Sequence, residues 1–500
     1  MKKRINLVVE HLFQRALKKS LLALFIINTT KYLYPTFYGI WLYRKGDISG
    51  SLRTLSQVRT NNFIVQRSIR RSEDLIKRIY EARHTLENST PLEKPRLTFN
   101  GHVLFAVHSN GFYHPNGYAV RTHNIINSLT SIGIKVSCVN RLGYPWDLIE
   151  TSDSPIVETK QYLGVDFYQT YDKNNLISDC ETTYIESYAD LLVKQAEIQG
   201  ASVIHAHSSY LNGLSAARAA SKLQIRSCYE VRGLWHLSRA IKEPLFENSE
   251  HYHYCEQMEL LACKKVDFVF TLTKALKNWL VAKGIREDKI AVVPNAVNKQ
   301  QKKHSLASPQ KTELVLGFIG SVTEYEGLDV VLRAMAKVQS MNKQAKIKMI
   351  IAGNGCFLPS LKKLANKLKI EKNVEFLGRV DKAKVPALYQ KIDLVTVTRK
   401  RSLLTELVSP LKHLEAFSYG VPCLVTNLQS ICEAARHNEN SIIVEPDSQN
   451  AIANVLIKAL SDKNYLADLA AKTKGSTDLI DNWDSVAQKY LQSYSNLYTR

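Results

Sequence analysis

Short apolar runs of three to seven residues, each closed by a polar or glycine-bearing turn and most followed by a helical pattern, recur from His102 to Val444. They are His102–Val107, Lys135–Val139, Val203–Ser208, Cys228–Val231, Val266–Thr271, Leu314–Gly320, Lys348–Ile351, Val374–Leu377, Leu394–Val397, Cys423–Val425 and Ser441–Val444. A short apolar run bounded by turn residues reads as a strand buried on both faces. Strands alternating with helices build parallel α/β sheets, and ligands of such sheets bind at the carboxyl ends of the strands. Asn298 to Gln310, polar and basic with Ser and Pro, separates five runs from six and reads as a hinge between two α/β bodies.

The most informative of these segments is Thr405 to Thr426, TELVSPLKHLEAFSYGVPCLVT. Ser409 and Pro410 suit an N-cap and first helical position, since proline lacks the N–H that would be orphaned there. Leu411, Leu414, Phe417 and Ser418 form a stripe at helical spacing. Gly420 stops the helix and Pro422 forbids its return, which predicts a helix of about three turns followed by a strand. Lys412 stands in the first turn, where the helix dipole disfavours a cation. An anion between it and the free backbone N–H groups explains the choice, and phosphate is the common such anion. Glu415 shares its face at i, i+3 and is suited to sugar hydroxyls; taken alone, the two read more simply as a surface ion pair.

Other strand ends carry further candidates. After the first strand, Ser109 to Thr122 holds Asn116, Gly117 and Arg121; glycine lets backbone approach a ligand. The loop is not G-x-G-x-x-G and makes no dinucleotide claim. His205 and His207 share one face of their strand, and His207 is nearer its carboxyl end. Glu230 and Arg232 end the next strand and are candidates for acceptor contact. In the second body, Gly320 and Ser321 offer backbone N–H groups as an anion nest.

Glu415-Ala416-Phe417-Ser418-Tyr419-Gly420-Val421-Pro422 resembles the second half of the nucleotide-sugar signature of retaining glycosyltransferases of family 4, which have the GT-B fold. The first half departs: Leu407 stands where the family has glutamate, Glu406 is one position off, and VSPLK is similar to a subgroup with a Pro-Leu-Lys turn. The resemblance implies two Rossmann-like domains facing across a cleft and a metal-independent, retaining transfer by a front-face course. It implies that His207 lies against the donor sugar, that Lys412 and Glu415 act on the donor, and that Gly117, Gly353, Arg379, Val380, Ser409 and Leu411 line its site. Family members also carry an Arg and, five residues on, a Lys before Gly-Leu-Asp, both holding the diphosphate. Here Ser321 and Glu326 occupy those positions before Gly327-Leu328-Asp329, so Lys412, Arg399 and Arg401 are left to supply the charge.

The implied domains are a basic helical extension over residues 1–96, an acceptor domain over 97–300, a donor domain over 311–475, and a terminal helix over 476–500 that crosses back to the acceptor domain. The chain has 67 Lys and Arg against 46 Asp and Glu, a net charge of +21. Residues 1–80 hold more than half of that excess and surround the apolar, aromatic Leu21–Tyr43. Lys31 near its middle argues against a span, so the segment reads as an interfacial contact with an anionic membrane. The apolar segment also makes nucleic acid a poor partner. Eight cysteines without a C-x-x-C pair indicate a reducing, cytoplasmic setting. No Asp-x-Asp pair or four-ligand cluster suggests a metal. The expected partners are a nucleotide-sugar donor, as substrate rather than cofactor, and a saccharide or lipid-linked acceptor. A nucleotide-sugar epimerase and a non-catalytic nucleotide-sugar scaffold are the alternatives.

Overall fold

The computed structural model describes residues 35–58, 63–87, 98–148, 151–171, 181–298, 313–462, 464–475 and 480–499. It divides into two compact units. One runs to Phe270 and takes in Lys283–Ile290 and Ser493–Arg500; the other holds Thr271–Ala282 and Ala291–Gln492.

The first unit is built on β1 (His102–Val107), β2 (Lys135–Asn140), β3 (Thr159–Tyr162), β4 (Val165–Tyr168), β5 (Val203–His207), β6 (Arg226–Val231), β7 (Phe268–Thr271) and β8 (Ile290–Val292). Their order is β3-β4-β2-β1-β5-β6-β7-β8. The central pairs are parallel, and β3 closes one edge antiparallel to β4. Strands β1 and β5 are buried at every residue, as continuous apolar runs require. The β3–β4 hairpin escapes the sequence reading because TKQY is polar and half-exposed. The chain leaves β1 for β2 on one side and later returns to β5 on the other, so the strand order reverses between β1 and β5.

The N-terminal region is helical over Pro35–Lys45, Ile48–Ser56 and Phe63–Glu87. Within this extension the Ile48–Ser56 helix ends before Phe63–Glu87 begins. Asp47 caps the middle helix by accepting from Gly50 N at 2.8 Å. These helices belong to the first unit. Arg78, 5% exposed, donates to Thr182 Oγ1, Glu181 Oε2 and Tyr254 Oη, and Ser49 N donates to Glu250 Oε2 at 2.8 Å. Most of Leu21–Tyr43 lies outside the described residues. Its described end is the Pro35–Lys45 helix, where Tyr38 stacks on Trp41 and Leu42 is buried. Trp41 is half-buried there rather than fully open to a headgroup layer. Among the described residues no helix is long and apolar enough to cross a membrane.

The second unit carries β9 (Leu314–Ile319), β10 (Ile347–Ala352), β11 (Val374–Gly378), β12 (Leu394–Val397), β13 (Cys423–Thr426) and β14 (Ser441–Val444) in the order β11-β10-β9-β12-β13-β14. Every pairing is parallel. Apolar side chains fill both faces, with Leu316, Phe318, Met349 and Ile351 on one and Val395, Val397, Phe417 and Val425 on the other. Here the order reverses between β9 and β12.

One helix of residues 97–300 groups with the second unit, and the terminal helix divides between the two. The helix Lys274–Ala282 groups with the second unit, where Thr273 Oγ1 donates to Leu407 O at 2.6 Å and Ala275 N to Glu433 Oε1 at 3.0 Å. The last helix, Trp483–Thr499, begins in the second unit and ends in the first, where Tyr494 Oη meets His205 Nδ1 at 2.7 Å. The hinge residues 299–312 lie outside the described set.

Candidate active site

At the β9/β12 reversal, three charged side chains of the second unit meet. Glu326 ends a single 3-10 turn after β9 and is 1% exposed. Its Oε1 accepts from Lys412 Nζ at 2.7 Å and from Arg399 at 3.2 Å. Arg399 follows β12 and also donates to Val408 O at 3.0 Å. Lys412 is 14% exposed, and its stem passes over Gly320. A Cβ on Gly320 would lie 2.5 Å from Lys412 Cε. Burial pushes the Glu326 carboxyl up, but Arg399 and Lys412 outweigh it and hold it below its ordinary value. Burial pulls the Lys412 amine down, and Glu326 only partly offsets this.

The strand ends around this triad are shaped by glycine. Gly320 and Gly353 have φ of +145° and +147°, and a Cβ on Gly353 would fall 1.8 Å from Gly320 O. Only glycine tolerates both conditions. Of the nest expected at Gly320 and Ser321, Gly320 N already donates to Ala352 O at 2.9 Å, and the next residue along, Val322, donates through N to Asn354 O at 2.9 Å. Arg379 is exposed just beyond Gly378, while Val380 packs half-buried against Val315, Ile350, Ala352 and Leu388.

The Thr405–Thr426 segment is corrected in detail. Its helix spans Lys412–Ser418, about two turns, and Leu411 occupies the N-cap. Ser409 does not cap it; its hydroxyl turns to Pro410 O and its carbonyl accepts from Asn295 Nδ2 at 3.1 Å. Tertiary hydrogen bonds to Val408 O and Ser409 O fix the approach, and the helix starts later. The buried face is His413, Leu414, Ala416 and Phe417, while Leu411 and Ser418 are half-exposed. Gly420 ends the helix with φ +72°, as expected. Lys412 turns to Glu326 rather than to Glu415, which sets aside the surface-pair reading. Glu415 is half-buried near Tyr389 and Tyr419; burial first, and its charge second, raise both phenols. Arg401 is exposed and pairs with Glu406 at 3.2 Å, and Glu406 accepts from Gln429 N at 2.7 Å. That pair anchors the start of a short helix instead of reaching Glu326.

The first unit gathers the other candidates, but inside it. Arg121 and Arg232 donate through Nε to Glu230 Oε1 at 2.7 and 3.1 Å, and Arg232 also donates to His207 Nδ1 at 2.9 Å. A guanidinium cannot accept, so Nδ1 is the acceptor and the ring proton sits on Nε2. Glu230 and His207 are fully buried, and Arg121 and Arg232 nearly so. Burial, then Arg232, hold His207 well below its ordinary pKa, so it is neutral. Burial pushes Glu230 up, but Arg121 and Arg232 bring it well below the ordinary range. These four form one buried ion network. Asn116 caps the Gly117–Ser131 helix by accepting from Ala119 N at 3.1 Å, and Gly117 opens that helix without positive φ. Neither shows a need for a ligand.

His205, His207 and Glu230 are the one group among the described residues whose ligand atoms come together within 4.8 Å. Glu230 is already bound by two guanidinium groups, whose charge opposes a cation. The residue that the sequence reading missed is Glu326. It appeared only as a lost cation, yet a carboxylate beside Gly327, with an unexplained lysine in a helix start, is the signature of a relocated charge pair.

Comparison with known proteins agrees with the two-sheet fold. Residues 115–301 match the family "Glycosyltransferase Family 4" and residues 298–476 the family "Glycosyl transferases group 1". The chain is similar to an uncharacterized glycosyltransferase of Methanocaldococcus jannaschii, 26% identical over 47% of this chain and 62% of that one. It is also similar to D-inositol 3-phosphate glycosyltransferase of Rhodococcus jostii, 26% identical over 36% of this chain and 40% of that one. The chain thus spans less than two thirds of either relative's length. Among solved structures, sucrose-phosphate synthase from Thermosynechococcus elongatus superposes with a TM-score of 0.64 at 14% identity, covering 80% of this chain and 99% of that one. Anabaena HepE, solved with UDP, gives 0.59 at 17% identity, covering 79% and 100%. The chain thus carries, from residue 115 to 476, a family 4 domain followed by a group 1 domain, the pair that makes a GT-B glycosyltransferase fold.

Proposed function

We propose that this chain is a retaining glycosyltransferase that moves a sugar from a nucleotide diphosphate donor to a saccharide or lipid-linked acceptor, in the assembly of a polysaccharide or glycoconjugate. The observation that carries this reading is the meeting of Lys412 and Arg399 at the β9/β12 reversal, the place where open α/β sheets bind ligands. Gly320 and Gly353 add no side chain of their own to that edge, and the Lys412 stem crosses it at Gly320. Glu415, three residues after Lys412, is assigned to the ribose hydroxyls. Negative charge builds on the diphosphate as its bond to the sugar breaks. A cation fixed beside it favours the transition state over the bound donor. The proposed course is front-face: the leaving phosphate oxygen takes the proton of the acceptor hydroxyl. Lys412 and Arg399 supply the charge that a metal would otherwise bring.

His207, Glu230, Arg121 and Arg232 enter this reading as the rigid support of the first sheet's carboxyl edge. A nucleotide-sugar donor is further supported by the likeness to HepE, which was solved with UDP-glucose, and to a GDP-mannose-dependent mannosyltransferase of Mycobacterium tuberculosis. The basic N-terminal region is assigned to an anionic membrane surface on the cytoplasmic side. Thermal unfolding in the presence of UDP, GDP and ADP tests the donor site, since a ligand that binds the native state alone raises the midpoint. One nucleotide should stabilise clearly more than the others, and its sugar conjugate should be consumed when acceptor is added. No stabilisation by any nucleoside diphosphate would overturn the reading.

A further inference from the structure

Glu326 is the anion that Lys412 and Arg399 hold, and its two oxygens are not alike. Oε1 takes both cations, while Oε2, though buried, has no hydrogen-bond partner among the described residues. Arg399 Nε is likewise buried without a partner. A carboxylate with no role but to fix two cations gains most by using both oxygens, since bidentate pairing is the stronger geometry. This one leaves an acceptor and a donor unmet in the same small space. Unmet buried polar atoms cost roughly 1–3 kcal/mol each. At the strand edge where ligands bind, the unmet Arg399 Nε is a donor that an arriving anion can meet, and a carboxylate holding its cations through one oxygen is the weaker partner to displace.

We infer that Glu326 is an exchangeable counter-ion: it neutralises Lys412 and Arg399 while the site is empty, and yields them to the diphosphate of the donor. The inference rests on the donor-site reading above. Glu326 holds Lys412 over Gly320, so the amine waits where a phosphate oxygen would arrive. The same carboxylate leaves the empty triad with a net charge of +1 instead of +2. It thereby weakens the hold on the nucleoside diphosphate product, which carries more charge than the donor. Glu326 is thus a positioning residue that tunes product release, and no bond to it forms or breaks.

The experiment is titration of wild type, Glu326→Gln and Lys412→Met with the nucleoside diphosphate that stabilises the wild type, by calorimetry at two salt concentrations. Exchange predicts that Glu326→Gln binds roughly tenfold tighter, because a unit charge a few ångströms away no longer competes. It also predicts a steeper loss of affinity with salt than in the wild type, since solution anions then take the place of Glu326. Turnover at saturating donor should fall as product lingers. Lys412→Met should bind more weakly than wild type. Equal or weaker binding by Glu326→Gln, with wild type still binding, overturns the exchange and leaves the donor site standing; Glu326 would then only brace Lys412. Failure of wild type to bind any nucleoside diphosphate overturns both. Should Glu326→Gln not fold, Glu326→Met leaves no orphaned amide and faces the same criterion.

Discussion

The molecule contains two clusters of the same kind, one carboxylate between two cations, the first at the end of β6 and the second at the β9/β12 reversal. In the first unit Glu230 uses both oxygens: Oε1 takes Arg121 and Arg232, and Oε2 takes a second contact from Arg232 at 3.4 Å. Arg232 is further occupied by His207, Thr122 and the Tyr118 carbonyl. In the second unit Glu326 uses one oxygen, and Lys412 retains some exposure. Like charges and like burial therefore produce two different objects. One is closed and architectural; the other is held half-finished beside side-chain-free turns. The difference lies in how many hydrogen bonds each group has left to make.

Breaking the closed cluster should have the largest effect. Removing one partner of a buried ion pair leaves the other charge uncompensated and costs roughly 3–5 kcal/mol. Glu230→Ala should lose about that much in chemical denaturation, and activity should follow the folded fraction. His207→Ala should behave the same way on a smaller scale, because it strands an Arg232 donor. Loss of turnover by His207→Ala at full stability would return it to the reacting atoms and undo the contrast.

A third buried carboxylate sharpens the comparison. Among the described residues Glu259 meets no cation; its partners there are Tyr229 Oη at 2.6 Å and Tyr210 N at 3.2 Å. Burial raises its pKa to about 7. The folded state thus keeps a proton that the unfolded chain releases near its ordinary carboxylate value. This contribution to stability is full below the unfolded pKa and is lost as pH rises through about 7. Unfolding free energy measured from pH 5 to 8 should carry a falling component of up to roughly 3 kcal/mol. Glu259→Gln should abolish it. A wild type with no such slope would mean that Glu259 is ionised in the fold. The smallest effect belongs to Arg401, an exposed partner of Glu406. Arg401→Ala should change stability by less than about 1 kcal/mol and leave donor binding intact. A large loss of affinity would make Arg401 a third donor cation.

The sequence made the architecture legible because buried parallel strands are written as unbroken apolar runs. The β3–β4 hairpin was hidden because its residues are polar and its strands short. The site was legible in part. Lys412 stood out as a cation in a helix start, and Gly320 and Gly353 as turns after strands. The Glu326 pairings join positions 86 and 73 residues apart, and no local pattern records such distances. Ser409 misled because good capping chemistry is overridden when a neighbour's side chain claims its carbonyl. The Arg232 partner of His207 was not legible, because a polar residue at a strand end looks the same in sequence whether it faces solvent or a buried arginine.

Lys412 is proposed to meet the donor's diphosphate and to hold it harder as its charge grows. The direct measurement is turnover by Lys412→Ala at saturating donor, using the nucleotide sugar whose diphosphate stabilises the wild type. The variant should remain folded, because Arg399 keeps Glu326 paired. A charge-assisted contact is worth roughly 1.5–3 kcal/mol, so its rate should fall about tenfold to a hundredfold. Wild-type turnover by a folded Lys412→Ala protein would contradict the account.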